Sequence, residues 1–138
     1  MEKKVELIVR IILKDETGKI LFAKREKSPA KGRWSLPGGK VEFKESALSA
    51  ARREIEEELS ISINPEFLFF IEDFDSIEDK HVIVFCFSAV CKQSDKNNIV
   101  IKTDEIQEID FFSAVEIENR DDIAFNHKDI IKKYRETQ

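Results

Sequence analysis

"GGKVEFKESALSAARREIEEELSI", residues 38–61, couples a glycine pair to a charged, amphipathic helix. The chain has only four glycines, and Gly32, Gly38 and Gly39 all fall in "GRWSLPGGK" (32–40), with Pro37 just ahead of the pair. From about Lys44 to Leu59 the period changes. Leu48, Ala51, Ile55 and Leu59 recur at helical spacing, as one apolar stripe. On the same helix Glu54, Glu57 and Glu58 fall within an arc of roughly 100°. Glu54 and Glu58 form an i,i+4 like-charge pair, which costs a few tenths of a kcal/mol. Glu56, Glu57 and Glu58 sit in the last turn, where the helix dipole disfavours each anion by about 0.3–1 kcal/mol.

A solvated face with Arg52–Glu56 and Arg53–Glu57 pairs would account for the charges taken alone. The glycine turn that feeds the helix points elsewhere. Clustered carboxylates on a rigid element suit a hard divalent cation, and Mg²⁺ prefers a few carboxylates together with substrate phosphates. Broken local rules are expected at functional sites.

Outward from this stretch, "VELIVRIILK" (5–14) and "ILFAKREK" (20–27) read as strands joined at "DETGK" (15–19), a hairpin. "SISINPEFLFFIEDFD" (60–75) and "HVIVFCFSAVC" (81–91) read as strands around a turn at 76–80, with Phe69, Phe70, Phe85 and Phe87 core by alternation. "NNIVIKTDEIQEIDFFS" (97–113) holds one or two shorter strands, and "NHKDIIKKYRE" (126–136) a closing helix capped by Asn126. Trp34 reads as packing. Hairpins around an internal helix, with a second helix at the end, indicate an α/β fold, a mixed sheet in an α/β/α sandwich. With no repeat or linker, residues 1–138 read as a single domain.

Composition narrows the function. Charged residues make up 37% of the chain, both signs are interleaved, and the net charge is −5. That balance lacks the basic footprint of a nucleic-acid polymer or membrane-surface binder. No apolar run is long enough for a signal peptide or a bilayer span, which predicts a cytoplasmic protein. Cys86 and Cys91, five apart, would point to opposite faces of one strand, so no disulfide between them is expected. With only two histidines, a His-rich zinc site is excluded. No phosphate loop, dinucleotide fingerprint or nucleophile elbow occurs.

The spacing is specific: Gly39, five residues, Glu45, seven residues, then Arg53-Glu54-Ile55-Glu56-Glu57-Glu58-Leu59-Ser60-Ile61. This resembles the signature box of the Nudix (MutT-like) hydrolases at every fixed position but the last glycine, which is Ser60. Lys44 stands where relatives often carry glycine. The resemblance implies a Mg²⁺-dependent enzyme (Mn²⁺ as an alternative) in which the Gly39 carbonyl, Glu57 and Glu58 ligate the metal. Glu54 is a further ligand or the base that orients water. Glu105, in "TDEIQEIDFF", is the acid expected to reach the metals from a late loop, with Glu108 as fallback. Arg53 and Glu45 brace loop and helix as an ion pair.

The implied reaction is attack of water on a diphosphate linkage in a nucleoside diphosphate derivative. A nucleoside triphosphate, giving monophosphate and pyrophosphate, is the first reading. ADP-ribose or another NDP-sugar is the alternative, and a nucleotide-sensing module without catalysis the competitor of another class. The metal would also let an acidic protein accept a polyphosphate. Lys24, Arg25, Arg33 and Lys40 are the candidate phosphate contacts, and Asn126 the candidate base contact. "IAFNHKDI" is similar to an Ala-Phe-Asp-His pattern of ADP-ribose-type relatives, with Asn126 in place of Asp. The expected partner is a small nucleotide, for a monomer or homodimer.

Overall fold

The elements follow in the order β1 (Val5–Lys14), β2 (Ile20–Arg25), β3 (Trp34–Ser35), β4 (Gly38–Lys40), α1 (Ala47–Leu59), β5 (Glu66–Asp75), β6 (Lys80–Val90), α2 (Gln93–Asn97), β7 (Ile106–Phe112), α3 (Ala114–Glu118) and α4 (His127–Glu136). The computed structural model describes residues 3–75 and 79–138, so positions 76–78 of the expected 76–80 turn lie outside the described residues. The described strands form one mixed sheet in the order β3-β2-β1-β6-β5, with β4 also on β1 and β7 also on β2. β1 runs parallel to β6 from Val5↔His81 to Lys14↔Val90. The remaining pairings are antiparallel.

Strand alternation divides the core in two. Val9, Ile11 and Leu13 of β1, with Phe87 and Ala89 of β6, pack against Ala50, Ala51, Ile55 and Leu59 of α1. Ile12 of β1, with Val84 and Cys86 of β6, packs on the other face against Ile117, Ile130, Ile131 and Tyr134 of α3 and α4. The result is the expected sandwich, helices on both faces of a mixed sheet. Cys86 and Cys91 are free and belong to opposite cores. Trp34 is buried edge-on against Phe112, as packing.

Four local expectations are corrected. β1 and β2 pair only at Lys14↔Ile20, because β2 turns away to hydrogen-bond β7 and β3 while β1 takes β4 and β6. Leu48 is 39% exposed, and Ala50 takes its place in the stripe. Phe70 is 57% exposed: the register shift between Phe67 and Phe69 turns Phe69 and Ile71 towards the α4 core and puts Phe70 on the α1 face opposite Phe85, outside the cluster buried there. Asn126 makes no side-chain cap, and its amide instead donates to Asp73. The short helices α2 and α3 are too brief to show an apolar stripe, and the sequence reading gave no helix there.

Both departures from glycine at the ends of α1 show in the backbone. Ser46 caps the helix, accepting from Ser49 N at 3.1 Å, and Lys44 just before it sits at φ +64°. Ser60 terminates it at φ +62°, its N–H bonded to the Glu56 carbonyl. Its hydroxyl donates to the Val100 carbonyl at 2.9 Å.

Candidate active site

The glycine pair lies flat against β1. Gly38 pairs with Arg10 and Gly39 with Val9, and Ile11 N donates to the Pro37 carbonyl at 3.0 Å. At Gly38, φ is +147° and an added Cβ would stand 2.0 Å from the Val9 carbonyl oxygen. At Gly39 it would stand 2.5 Å from Glu54 Oε1. Absent side chains thus let a carboxylate of α1 touch the main chain of β4.

Behind that contact lies Glu58. Its Oε1 accepts weakly from Gly38 N at 3.5 Å, and its Oε2 is buried without a hydrogen-bond partner. Burial pushes the Glu58 carboxyl up to about 8, the Glu54 charge adding to this and Arg10 opposing it. Burial also raises Glu54, against the pull of Arg53. Glu57 is placed differently. It is mostly exposed and turned to Arg53, Nη1 to Oε2 at 3.3 Å. Consistent with that, no group of three or more His, Cys, Asp or Glu is gathered as a metal cage among the described residues.

Arg53 organises the rim. It grips Glu45 with two prongs, Nε to Oε2 at 2.7 Å and Nη2 to Oε1 at 3.0 Å. Nη1 donates to Glu54 at 3.0 Å, and Nη2 also donates to the Lys40 carbonyl at 3.0 Å. Those donations hold the Glu45 carboxyl below its ordinary range. One guanidinium therefore ties the loop, the exit of β4 and the acidic helix together.

Two cavities meet at this place. A small one is lined by Gly38, Glu58, Glu105, Arg10 and Arg25, among others. A larger one of about 290 Å³ shares Arg10 and Arg25 with it and continues past Gly39 and Lys40 to Asp73, Phe125, Asn126 and His127. Of the residues expected from sequence, the fold brings Gly39, Glu54, Glu58, Glu105, Arg25, Lys40 and Asn126 to these cavities or their walls. Arg33 lines neither and donates to the Asp121 carbonyl. Glu108 and Lys24 face each other as paired residues of β7 and β2, outside both cavities.

The sequence reading missed Arg10, Asp73, Phe125 and His127. Arg10 had a visible signal: a cation set between Ile8 and Ile12 on one face of β1. Phe125 and His127 had one as well, since both stand in the "IAFNHKDI" segment, of which Asn126 alone is taken above as a contact. Phe125 sits at φ +52°, half exposed, with the Arg25 guanidinium 5.0 Å over its ring.

The chain matches the NUDIX domain over residues 5–134. It is 34% identical over 127 residues to the ADP-ribose pyrophosphatase of Methanocaldococcus jannaschii, covering 90% of this chain and 69% of that protein. It is 47% identical over 60 residues to the CTP pyrophosphohydrolase of Escherichia coli, covering 43% of each. In fold it is similar to the MutT protein of Methanosarcina mazei Go1, with a TM-score of 0.84 at 24% identity, over 100% of this chain and 99% of that one. Among the described residues no helix is long and apolar enough to cross a membrane.

Proposed function

The chain belongs to the NUDIX family and is a Nudix hydrolase, and from that premise we propose that it is a Mg²⁺-dependent pyrophosphohydrolase cleaving a diphosphate linkage in a nucleoside diphosphate derivative. One observation carries this reading: a buried, unpartnered oxygen of Glu58 beside Glu54 and the bare backbone of Gly39, opening on cavities walled by two arginines. The donors are all oxygens, the set a hard cation takes. An orphaned buried carboxylate oxygen costs free energy unless something pairs with it.

Glu58, the Gly39 carbonyl and Glu57, once swung off Arg53, would hold the metal. Bound there, Mg²⁺ supplies charge neutralisation at the phosphate oxygens and lowers the pKa of a water. The protein's own groups do the rest. Arg10 and Arg25 hold the phosphates at the junction of the two cavities. Glu54 and Glu105 are the two carboxylates that can orient or deprotonate the attacking water. Arg53 keeps Glu54 aimed at Gly39. Beside Arg25, the half-exposed ring of Phe125 offers a face for stacking, and Asn126 and Asp73 offer polar atoms to a base or a second sugar.

A nucleoside triphosphate is the first substrate reading, and the 47% identity to the CTP pyrophosphohydrolase over 60 residues supports it. ADP-ribose is the second. It is favoured by the M. jannaschii relative, which aligns along 90% of this chain. Incubating a panel of nucleoside triphosphates, ADP-ribose and NDP-sugars with and without Mg²⁺ separates them. Pyrophosphate plus monophosphate marks the first, and AMP plus ribose 5-phosphate the second. Turnover of any substrate undiminished by chelation, or by both Glu57→Gln and Glu58→Gln, overturns the proposal. So does a ligand that binds the Mg²⁺-loaded protein and is never consumed.

A further inference from the structure

The residue ahead of the glycine hinge is clamped on both of its main-chain groups. Leu36 is fully buried in the α4-side core. Its N–H donates to His127 Nδ1 at 2.9 Å, and its carbonyl accepts from Arg10 Nη1 at 3.1 Å. Pro37 is then held by Ile11, and Gly38 and Gly39 by β1. A backbone N–H can only donate. The imidazole must therefore be neutral, with Nδ1 bare and its hydrogen on Nε2. Burial, reinforced by Arg10 and Arg25, holds the His127 pKa well below the ordinary histidine range, in keeping with that form.

His127 opens α4, is 2% exposed, and is bonded through its own N–H to the Ala124 carbonyl. The residues just before it, Phe125 and Asn126, line the 290 Å³ cavity. The strained turn that presents the stacking ring therefore ends in the ring that holds the hinge. Resting on the function proposed above, we propose that His127 is a positioning residue: its Nδ1 bond to Leu36 sets the path of Leu36–Gly39, and with it the place of the Gly39 carbonyl at the metal, while tying that path to the wall of the substrate cavity. It acts through Leu36.

The test compares His127→Asn, whose Oδ1 can take over the acceptor role of Nδ1, with His127→Leu, which has no acceptor. Mn²⁺ affinity by calorimetry, with no substrate present, reads the site even if the substrate assignment is wrong. Outer residues that orient a metal site typically contribute 10–100-fold. His127→Leu should weaken Mn²⁺ binding and lower kcat by about tenfold or more, leave KM nearly unchanged, and free the Leu36 amide to exchange. His127→Asn should restore most of each. A His127→Leu protein with wild-type Mn²⁺ affinity and kcat overturns the inference. An Asn variant as impaired as Leu at equal melting temperature does so too. Should the variants not fold, the ¹⁵N spectrum of the wild-type ring decides: a bare Nδ1 coupled to the Leu36 amide is expected, and a hydrogen on Nδ1 overturns it.

Discussion

Glu54 and Gly39 are in such close register that one added carbon at Gly39 would lie 2.5 Å from the Glu54 carboxylate oxygen. The obstacle is the end of a flexible side chain, so it can swing aside. Gly39→Ala should therefore fold, losing no more than about 1–2 kcal/mol, while turnover falls by about a hundredfold as Glu54 is driven off its aim. Gly38→Ala is a different experiment. There the obstacle is the Val9 carbonyl at 2.0 Å with φ at +147°, and the variant should be severely destabilised. Thermal melts beside initial rates separate the two; equal melting losses would contradict this reading of the hinge.

The unpartnered Glu58 oxygen predicts linkage between metal and stability. Mg²⁺ at a hundredfold over its dissociation constant should stabilise the protein by about 2.7 kcal/mol, a rise of several degrees in Tm. Glu58→Gln should lose most of that rise, yet be about as stable as wild type without metal, since burial already favours the uncharged form of Glu58 and the amide is its neutral isostere. Calorimetric scans in EDTA and in Mg²⁺ read both halves. A metal-dependent rise that persists in the variant would remove Glu58 from the site.

Away from the site, Asp15 should govern acid stability. Burial works to raise its carboxyl, but bonds from Thr17, Lys96 and Lys19 outweigh burial and bring it down to about 2. A folded pKa below the unfolded 3.8 means the contribution is complete above about pH 4 and lost as pH falls towards 2. Asp15→Asn should cost on the order of 1–2 kcal/mol near pH 7, with the difference from wild type vanishing near pH 2. Urea midpoints across that range are the measurement. A gap constant with pH would assign the loss to packing.

The two left-handed residues flanking α1 are expected to respond differently to glycine. Lys44, exposed at φ +64°, should gain about 0.5–1 kcal/mol as Lys44→Gly, because the strain of a β-carbon there exceeds the entropy that glycine adds to the unfolded chain. Ser60→Gly relieves similar strain but forfeits the hydroxyl bond to Val100, worth about 1 kcal/mol, and should be near neutral. Denaturant unfolding of the two variants compares them directly.

The carboxylate helix, the glycine turn and the strand series were legible because each follows from neighbours in the chain: a period of 3.6 or 2, and a box of fixed offsets. The aromatic alternation on β5 misled because a single bulge exchanges which phenylalanines face the core. Arg33 looked like a phosphate ligand from its place beside the turn, but a strand direction sends it to the Asp121 carbonyl instead. Glu57 carries the same local pattern as Glu58, but packing of α1 on the sheet buries Glu58 against Gly38 and leaves Glu57 exposed with Arg53.

By itself, then, the order of residues determined an α/β sandwich and an acidic helix following a glycine hinge, since both are written in short-range spacing. Tertiary structure alone decided that Arg10 from β1, Asp73 from β5 and the Phe125–His127 turn wall the same cavity, and that His127 closes on Leu36 across 91 positions. Contacts that distant depend on which strands pair and where each side chain emerges, and no periodicity along the chain encodes them.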